Sequence, residues 1–501
     1  MSPNKNALSI LSTYVNKLWG FVSVFLFIPI YIRYLGMEAY AVIGFYALLL
    51  GVISFADAGL SSAVTREFAA FNTANYKYSI LRLIEKIYAL ICISIALLIF
   101  FCAPIIAEYW LTSKTIPITT LTYYIRLIGV GISIQLISSL YYGALFGIDY
   151  QVQANFYQVV WSVSRSLGAI VVMLIVGKTL EVFFICQIIC NVIYVFKIRT
   201  KVITILKGFI GHLYIEIKKL PRNIMEYVGG MSLVAIISSI NSQVDKIVIS
   251  SAFSLTIYGY YTLVSSLSQL PTMLSTPLAV SLFPRFSNLA SENKLSVIKK
   301  NLMKFSFVLN VIVFIVYAIL LFYPSEILYL WTKDAVDPSY MNEVVLTIRL
   351  LSTGSTFLAL QLLLFYALLS FGKTKYTIYQ GAFQVVIGVP LSYSLVNKIG
   401  LAGAGISWTI INLGAYIFLF IIVSSKYVKF NKATYLFYYT FVPLLMSISI
   451  FGGGYLLYSR LEANFIVSIL ISTLLALLLN LLFYNDKNNL PPFSFKHLLN
   501  F

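Results

Sequence analysis

Residues Ile84–Ala107 read IEKIYALICISIALLIFFCAPIIA, and after Glu85 and Lys86 the stretch carries no further charge. As a helix, a run of this length crosses a hydrocarbon core about 30 Å thick. Lipid offers the backbone no water, so such a run must satisfy its own hydrogen bonds as a helix. The strict alternation of membrane barrel strands is absent. Working outward from this stretch, similar runs recur along the whole chain. Spans are predicted near 9–32, 38–60, 84–107, 122–147, 153–177, 180–199, 225–250, 257–283, 303–323, 343–370, 376–397, 402–424, 434–457 and 463–485. The 501 residues are 60% hydrophobic and 10% charged, against roughly 25% charged in soluble globular chains. A soluble protein of this composition could not cover its own surface. The expected fold is an all-α polytopic membrane protein with about fourteen transmembrane helices. The first run is read as a span rather than a secretory signal, because it is too long and no small-residue cleavage site follows it.

The net charge of +18 raises the question of nucleic acid, and its distribution answers it. Most Lys and Arg fall on the membrane side that holds the N-terminus. They include Arg66, Lys77, Arg82 and Lys86, the cluster Lys197, Arg199, Lys201, Lys207, Lys218, Lys219 and Arg222, and later Lys294, Lys299, Lys300, Lys373, Lys375, Lys426, Lys429 and Lys432. This is the positive-inside asymmetry. It predicts a multi-pass protein of a bacterial inner membrane with both termini cytoplasmic, in contact with membrane lipids and not with nucleic acid. The longest exterior loop runs about 324–342 and the longest interior one about 200–224, so no extramembrane segment is long enough to fold alone.

The chain echoes itself at a spacing near 220 residues. Tyr40 precedes Arg66 and Phe68 as Tyr258 precedes Arg285 and Phe286. Tyr150 with Gln158-Val159-Val160 matches Tyr376 with Gln384-Val385-Val386, and Asn191 and Asn412 sit late in the spans that follow. Six spans precede the basic connector and six follow it. The expected organisation is an N-terminal six-helix lobe (1–200), a cytoplasmic basic connector (201–224), a pseudo-symmetric C-terminal six-helix lobe (225–425), and two extra helices with a tail (426–501). Parallel repeats of this kind are a common transporter plan, with the substrate site between the halves.

A charge at mid-bilayer costs about 2.5–3.5 kcal/mol on insertion scales, so such residues usually face a cavity or a partner. The candidate cavity cations are Lys17, Arg33, Arg126, Arg165, Lys246 and Arg349. Asp57 and Asp245 are the candidates for coupling to an ion. Cations outnumber acids, and a cavity lined by them attracts anions; Arg suits bidentate contact with phosphate, and Lys supplies a point charge. Lys17 can also snorkel to the interface, and Asp57 can simply pair with Lys17. Asp245 and Lys246 are neighbours on a helix and should not face each other. Arg66, Glu67 and Arg285 are expected in structural loops. Pro271, Pro277 and Pro284 punctuate the eighth span, where they should bend it.

Cys92, Cys102, Cys186 and Cys190 lie in spans and read as apolar filling. His212 and His497 fall in a loop and the tail and form no cluster. No metal site is expected. An enzyme of the membrane polymerase or glycosyltransferase kind would be expected to carry a large external loop. The region around 324–342, with Glu326, Asp334, Asp337 and Glu343, is short, and no enzymatic activity is expected.

Tyr34-Leu35-Gly36-Met37-Glu38-Ala39-Tyr40, followed by Asp57-Ala58-Gly59-Leu60 and Arg66, resembles the start of Wzx-type polysaccharide flippases of the multidrug/oligosaccharidyl-lipid/polysaccharide superfamily. Ala41 stands where that pattern usually has glycine. Asp245-Lys246, Tyr258-Gly259-Tyr260-Tyr261, Pro284-Arg285 and Gly400-Leu401-Ala402-Gly403-Ala404 resemble later parts of the same pattern. The resemblance implies two six-helix lobes around a central cavity with alternating access. It implies a flippase that turns an undecaprenyl-pyrophosphate-linked repeat unit, of O-antigen or capsule type, from the cytoplasmic to the periplasmic face. Arg165, Lys17 and Lys246 would then hold pyrophosphate or acidic sugars. No cofactor is implied beyond a proton or sodium gradient, and the polysaccharide polymerase machinery is the implied partner. A lipid II flippase and a drug or metabolite antiporter of the same superfamily are the competing readings.

Overall fold

The computed structural model describes residues 3–57, 59–70, 73–208, 221–461 and 464–488. The middle of the predicted connector, with His212, Lys218 and Lys219, and the tail with His497 lie outside them. Among the described residues eighteen α-helices follow one another. They are α1 (Pro3–Leu35), α2 (Met37–Ile53), α3 (Leu60–Ala69), α4 (Ala74–Ile105), α5 (Ile118–Gly147), α6 (Gln151–Val176), α7 (Leu180–Lys207), α8 (Arg222–Ala252) and α9 (Leu255–Ser268). After these come α10 (Leu270–Ser291), α11 (Leu295–Phe322), α12 (Pro324–Thr332), α13 (Met341–Ser370), α14 (Thr374–Ile399), α15 (Leu401–Ile422) and α16 (Lys432–Thr434). A wider-wound stretch, Tyr435–Phe441, leads from α16 into α17 (Val442–Leu461), and α18 (Phe465–Asn488) ends the described chain.

Thirteen of the described helices are long and apolar enough to cross a membrane. The span expected at 257–283 is divided instead into α9 and α10. Gln269 separates them and Pro271 stands in the first turn of α10. Proline has no N–H to give back to the preceding turn, and its ring crowds the carbonyl four residues earlier. The count of about fourteen expected spans is consistent with this arrangement. Two expected loops are helical: Arg66 and Glu67 lie on α3, and Arg285 lies on α10.

The outward-facing side chains are those a lipid solvent requires. On α18, Leu470, Leu474, Leu478 and Leu482 form an exposed stripe at helical spacing, and on α4 Leu90, Leu97, Leu98 and Phe101 are exposed. Apolar patches this extensive are rare on soluble monomers.

The chain divides into two compact units, Met1–Thr262 and Leu263–Phe501, which part within α9. In the first, Phe68, Tyr88, Leu140, Ala144 and Ile198 are core residues drawn from α3, α4, α5 and α7. Small residues let helices approach: a Cβ on Gly147 would lie 2.6 Å from the Thr65 carbonyl oxygen, and one on Gly143 2.7 Å from that of Ser61. In the second unit, Phe286, Phe314, Leu364, Leu419 and Phe451 fill the core. Each unit also carries polar links between helices, which in lipid replace part of the hydrophobic drive. Asn191 on α7 donates to the Gly131 carbonyl on α5 at 3.0 Å, and its Oδ1 accepts from Trp161 Nε1 on α6, also at 3.0 Å. Asn412 on α15 accepts from Gln361 on α13 at 3.3 Å, and Gln361 in turn accepts from Gln380 on α14 at 2.8 Å.

Candidate functional site

Of the six candidate cations, all but Arg349 fall in the first unit. Among the described residues, no two of the six share a hydrogen-bond or ion-pair partner. Their settings differ, and the differences sort them.

Arg165 lies in the second half of α6, half-buried. Its Nε donates to Gln187 Oε1 on α7, and its Nη1 lies 3.3 Å from Gln135 Oε1 on α5. Gln187 is itself fixed, because its Nε2 donates to the Arg165 carbonyl at 3.1 Å. Gln135 is held from the other side by the Tyr46 hydroxyl of α2, at 2.5 Å. The guanidinium carbon sits 4.7 Å from the Trp161 ring centroid and 5.8 Å from that of Tyr46. The packing follows from the sequence: Trp161 is one helical turn before Arg165, so the indole and the guanidinium share a face. Four helices thus hold one full positive charge with amides and aromatic rings, and none of these partners carries a negative charge. Amide oxygens and ring faces orient a guanidinium without neutralising it. The arrangement favours an anion that can approach a fixed fork of donors.

Lys246 on α8 lies 3.8 Å from Asp245 Oδ1 and donates to the Ser242 carbonyl at 3.4 Å. The flexible lysine arm reaches back to its neighbour despite their unfavourable spacing. Asp245 is buried and accepts from the Tyr261 hydroxyl on α9, while its Oδ1 has no hydrogen-bond partner among the described residues. Asp57, in a short 3₁₀ turn after α2, accepts from Ser61 at 2.5 Å, from Ser139 at 3.2 Å and from the Tyr88 hydroxyl. Its partners are hydroxyls from α3, α5 and α4, and Lys17 is not among them.

The remaining cations are placed otherwise. Lys17 and Arg33 on α1 are exposed. Arg126 lies with its guanidinium carbon 4.3 Å from the Phe100 ring centroid, and its Nε is buried without a hydrogen-bond partner among the described residues. Arg349 donates through Nε to the Leu321 carbonyl at 2.9 Å. Leu321 stands in the last turn of α11, where carbonyls lack partners within the helix, so Arg349 caps that helix.

One acid that the sequence reading passed over is the most heavily bonded of the group. Glu38, in the first turn of α2, is buried. Its carboxylate accepts from Ser113 Oγ at 2.7 Å, Lys114 N at 3.1 Å, Thr115 N at 3.0 Å, Thr115 Oγ1 at 2.5 Å and Thr256 Oγ1 at 3.0 Å. Gly36, at φ +87°, forms the single-residue corner that presents this end of α2, a backbone conformation glycine adopts at little cost. Trp110 Nε1 donates to Ser250 Oγ at 2.9 Å, and Leu255 N donates to the Thr112 carbonyl at 2.8 Å. The start of α2, the segment 111–117 and the α8–α9 corner are therefore bound into one latch.

The number of long apolar helices and their exposed apolar side chains are the architecture of a multi-pass membrane protein. Known structures share it. The lipid II flippase MurJ in an inward closed conformation superposes with a TM-score of 0.76 at 17% identity, covering 96% of this chain and 99% of that one. An inward-facing multidrug resistance MATE family transporter of the MOP superfamily gives 0.66 at 16% identity over 83% and 95%. A MOP superfamily transporter from Pyrococcus furiosus gives 0.59 at 16% over 84% and 96%. By sequence, a Shigella flexneri protein that carries the name Putative O-antigen transporter is 27% identical over 191 residues. That match spans 38% of this chain and 44% of the relative. The family described as Polysaccharide biosynthesis protein matches residues 5–290, and the chain belongs to it.

Proposed function

We propose that this chain is a flippase for an undecaprenyl-pyrophosphate-linked oligosaccharide, of O-antigen or capsule type, in a bacterial inner membrane with both termini cytoplasmic. It carries the repeat unit from the cytoplasmic to the periplasmic face by alternating access, and polymerase machinery consumes the product there. The observation that carries this reading is Arg165, a guanidinium oriented by Gln187 and Gln135 and without an ion-pair partner among the described residues. The pyrophosphate, or an acidic sugar beside it, supplies the missing anion. Lys246 and Lys17 are the further cations proposed to meet the headgroup. The lipid tail stays in the bilayer. A ligand drives a transporter only through unequal affinity for its two states, and the headgroup contact at Arg165 is where that inequality is placed. Asp57 is the proposed carrier of a coupling proton or sodium ion, since several hydroxyls surround its carboxylate.

A lipid II flippase is the second reading, raised by the fold shared over nearly the whole chain. A drug or metabolite antiporter fits less well, because an exporter of cationic drugs calls for acids around its substrate and the cations here outnumber them. Expression in two backgrounds separates the first two. The proposal expects rescue of surface glycan in a strain lacking its O-antigen or capsule flippase, and no rescue on depletion of the lipid II flippase. The opposite pattern would overturn it.

A further inference from the structure

The second unit carries a cleft far along the chain from Arg165. It has a volume of about 620 Å³ and is lined by Glu326, Tyr455, Tyr458, Ser459, Asn464, Phe465 and Ile466. Clefts for small ligands span roughly 300–1,000 Å³. The walls come from α12, the last turns of α17, Asn464 and the first turn of α18. The charge asymmetry of the sequence predicts that this end of α17 lies on the exterior side.

Its chemistry is specific. Tyr455 and Tyr458 are one turn apart on α17, and their ring centroids are 5.9 Å apart. Both pack on Tyr323, at 5.3 Å and 5.9 Å, and Tyr458 packs edge-on to Phe465 at 6.5 Å. Tyr323 is itself buried and anchored, sharing a 2.8 Å hydrogen bond with Ser468 on α18. The rings pack on one another and form a continuous aromatic cluster. Against this wall stand, among the described residues, the carboxylate of Glu326, which accepts from Ser325 at 2.8 Å, and the polar groups of Ser459 and Asn464. Asn464 uses its Oδ1 to cap α18 through Ile466 N at 2.9 Å, which leaves its amide N–H groups as donors.

We infer that this cleft is a carbohydrate subsite, taking a neutral or amino-sugar ring of a glycan on the exterior face. A sugar ring has an apolar C–H face that suits an aromatic wall and hydroxyls that both donate and accept. Glu326 accepts from hydroxyls, and the Asn464 amide donates to them. Glu326 also disfavours uronic acids. The rigid tyrosines supply contact area at low entropic cost, as they do in other recognition surfaces. The subsite deepens the flippase reading, and it would hold the sugar portion after it has crossed. Its test does not depend on transport.

The full-length protein in nanodiscs is examined by saturation-transfer NMR with free glucose, galactose, N-acetylglucosamine, glucuronic acid and phosphoethanolamine as separate probes. The expected result is transfer to the ring protons of at least one neutral or amino sugar and none to glucuronic acid. Tyr458→Ala should weaken that binding about tenfold, and the isosteric Glu326→Gln should weaken it while keeping the fold. Arg165→Ala should leave it unchanged, which separates this site from the proposed headgroup contact. Absence of transfer to every sugar, transfer indifferent to both Tyr458→Ala and Glu326→Gln, or transfer to phosphoethanolamine alone would overturn the assignment, the last in favour of a lipid headgroup.

Discussion

Glu38 and Thr256 are 218 residues apart and share a 3.0 Å hydrogen bond. The same carboxylate gathers two backbone N–H groups and two further hydroxyls from Ser113, Lys114 and Thr115. Charged acceptors make the stronger hydrogen bonds, and this one joins the corner of α8 and α9 to the start of α2. Any motion that carries the α8–α9 corner away from α2 must break it.

Glu38→Gln should therefore loosen the latch. Leaving buried donors poorly paired costs about 2 kcal/mol, which raises the population of the opened corner about thirtyfold. In a background without Cys92, Cys102, Cys186 and Cys190, a Ser254→Cys reporter should react correspondingly faster with a membrane-impermeant thiol reagent. Thr256→Val should do the same to a lesser degree. Unchanged reactivity in both would mean that the contact does not restrain the corner.

Asp57→Asn tests the coupling proposal. The amide keeps the shape of the side chain but cannot exchange a proton. Export driven by an imposed proton or sodium gradient should fall about tenfold, a typical size for a coupling term, while expression and thermal stability stay near wild type. If gradient dependence survives the substitution intact, the coupling group lies elsewhere.

Packing between α3 and α5 gives a prediction free of any functional assumption. Gly147→Ala places a methyl group 2.6 Å from the Thr65 carbonyl oxygen, and overpacking of this kind costs about 1–3 kcal/mol. Gly20→Ala, on an open face of α1 with nothing within 4 Å, should be neutral or slightly stabilising, since alanine favours helix over glycine by roughly 1 kcal/mol. Thermal unfolding in one detergent compares the two. Equal melting temperatures would contradict the close approach of α3 to α5.

The membrane helices were legible in the sequence because hydropathy over some twenty residues depends on composition alone. The division of the eighth span was only half legible: Pro271, Pro277 and Pro284 announced a bend, but the break at Gln269 depends on which proline falls at a helix start. The short helix α3 was hidden because its ten residues bury one side only, and Arg66-Glu67 looked like a loop. Within the candidate site, depth marked Arg165 as costly to bury. That its partners are two glutamines and two aromatic rings follows from packing among four helices, which no local pattern encodes. Glu38 was missed for the same reason. It sits at a span end, where an acid needs no explanation, and its partners lie 75 to 218 residues away. Arg349 shows the converse: a charge inside a span, conspicuous in the sequence, serves a helix end.

The central claim is that the guanidinium of Arg165 is held ready for a phosphate-bearing headgroup. Titration of the purified protein in nanodiscs with undecaprenyl pyrophosphate, read by native mass spectrometry, tests it directly. The account predicts that Arg165→Gln weakens binding at least about tenfold, the loss of one charge-assisted contact, and that Arg165→Lys recovers only part of it because the planar fork is gone. Equal affinity in wild type and Arg165→Gln would contradict the account.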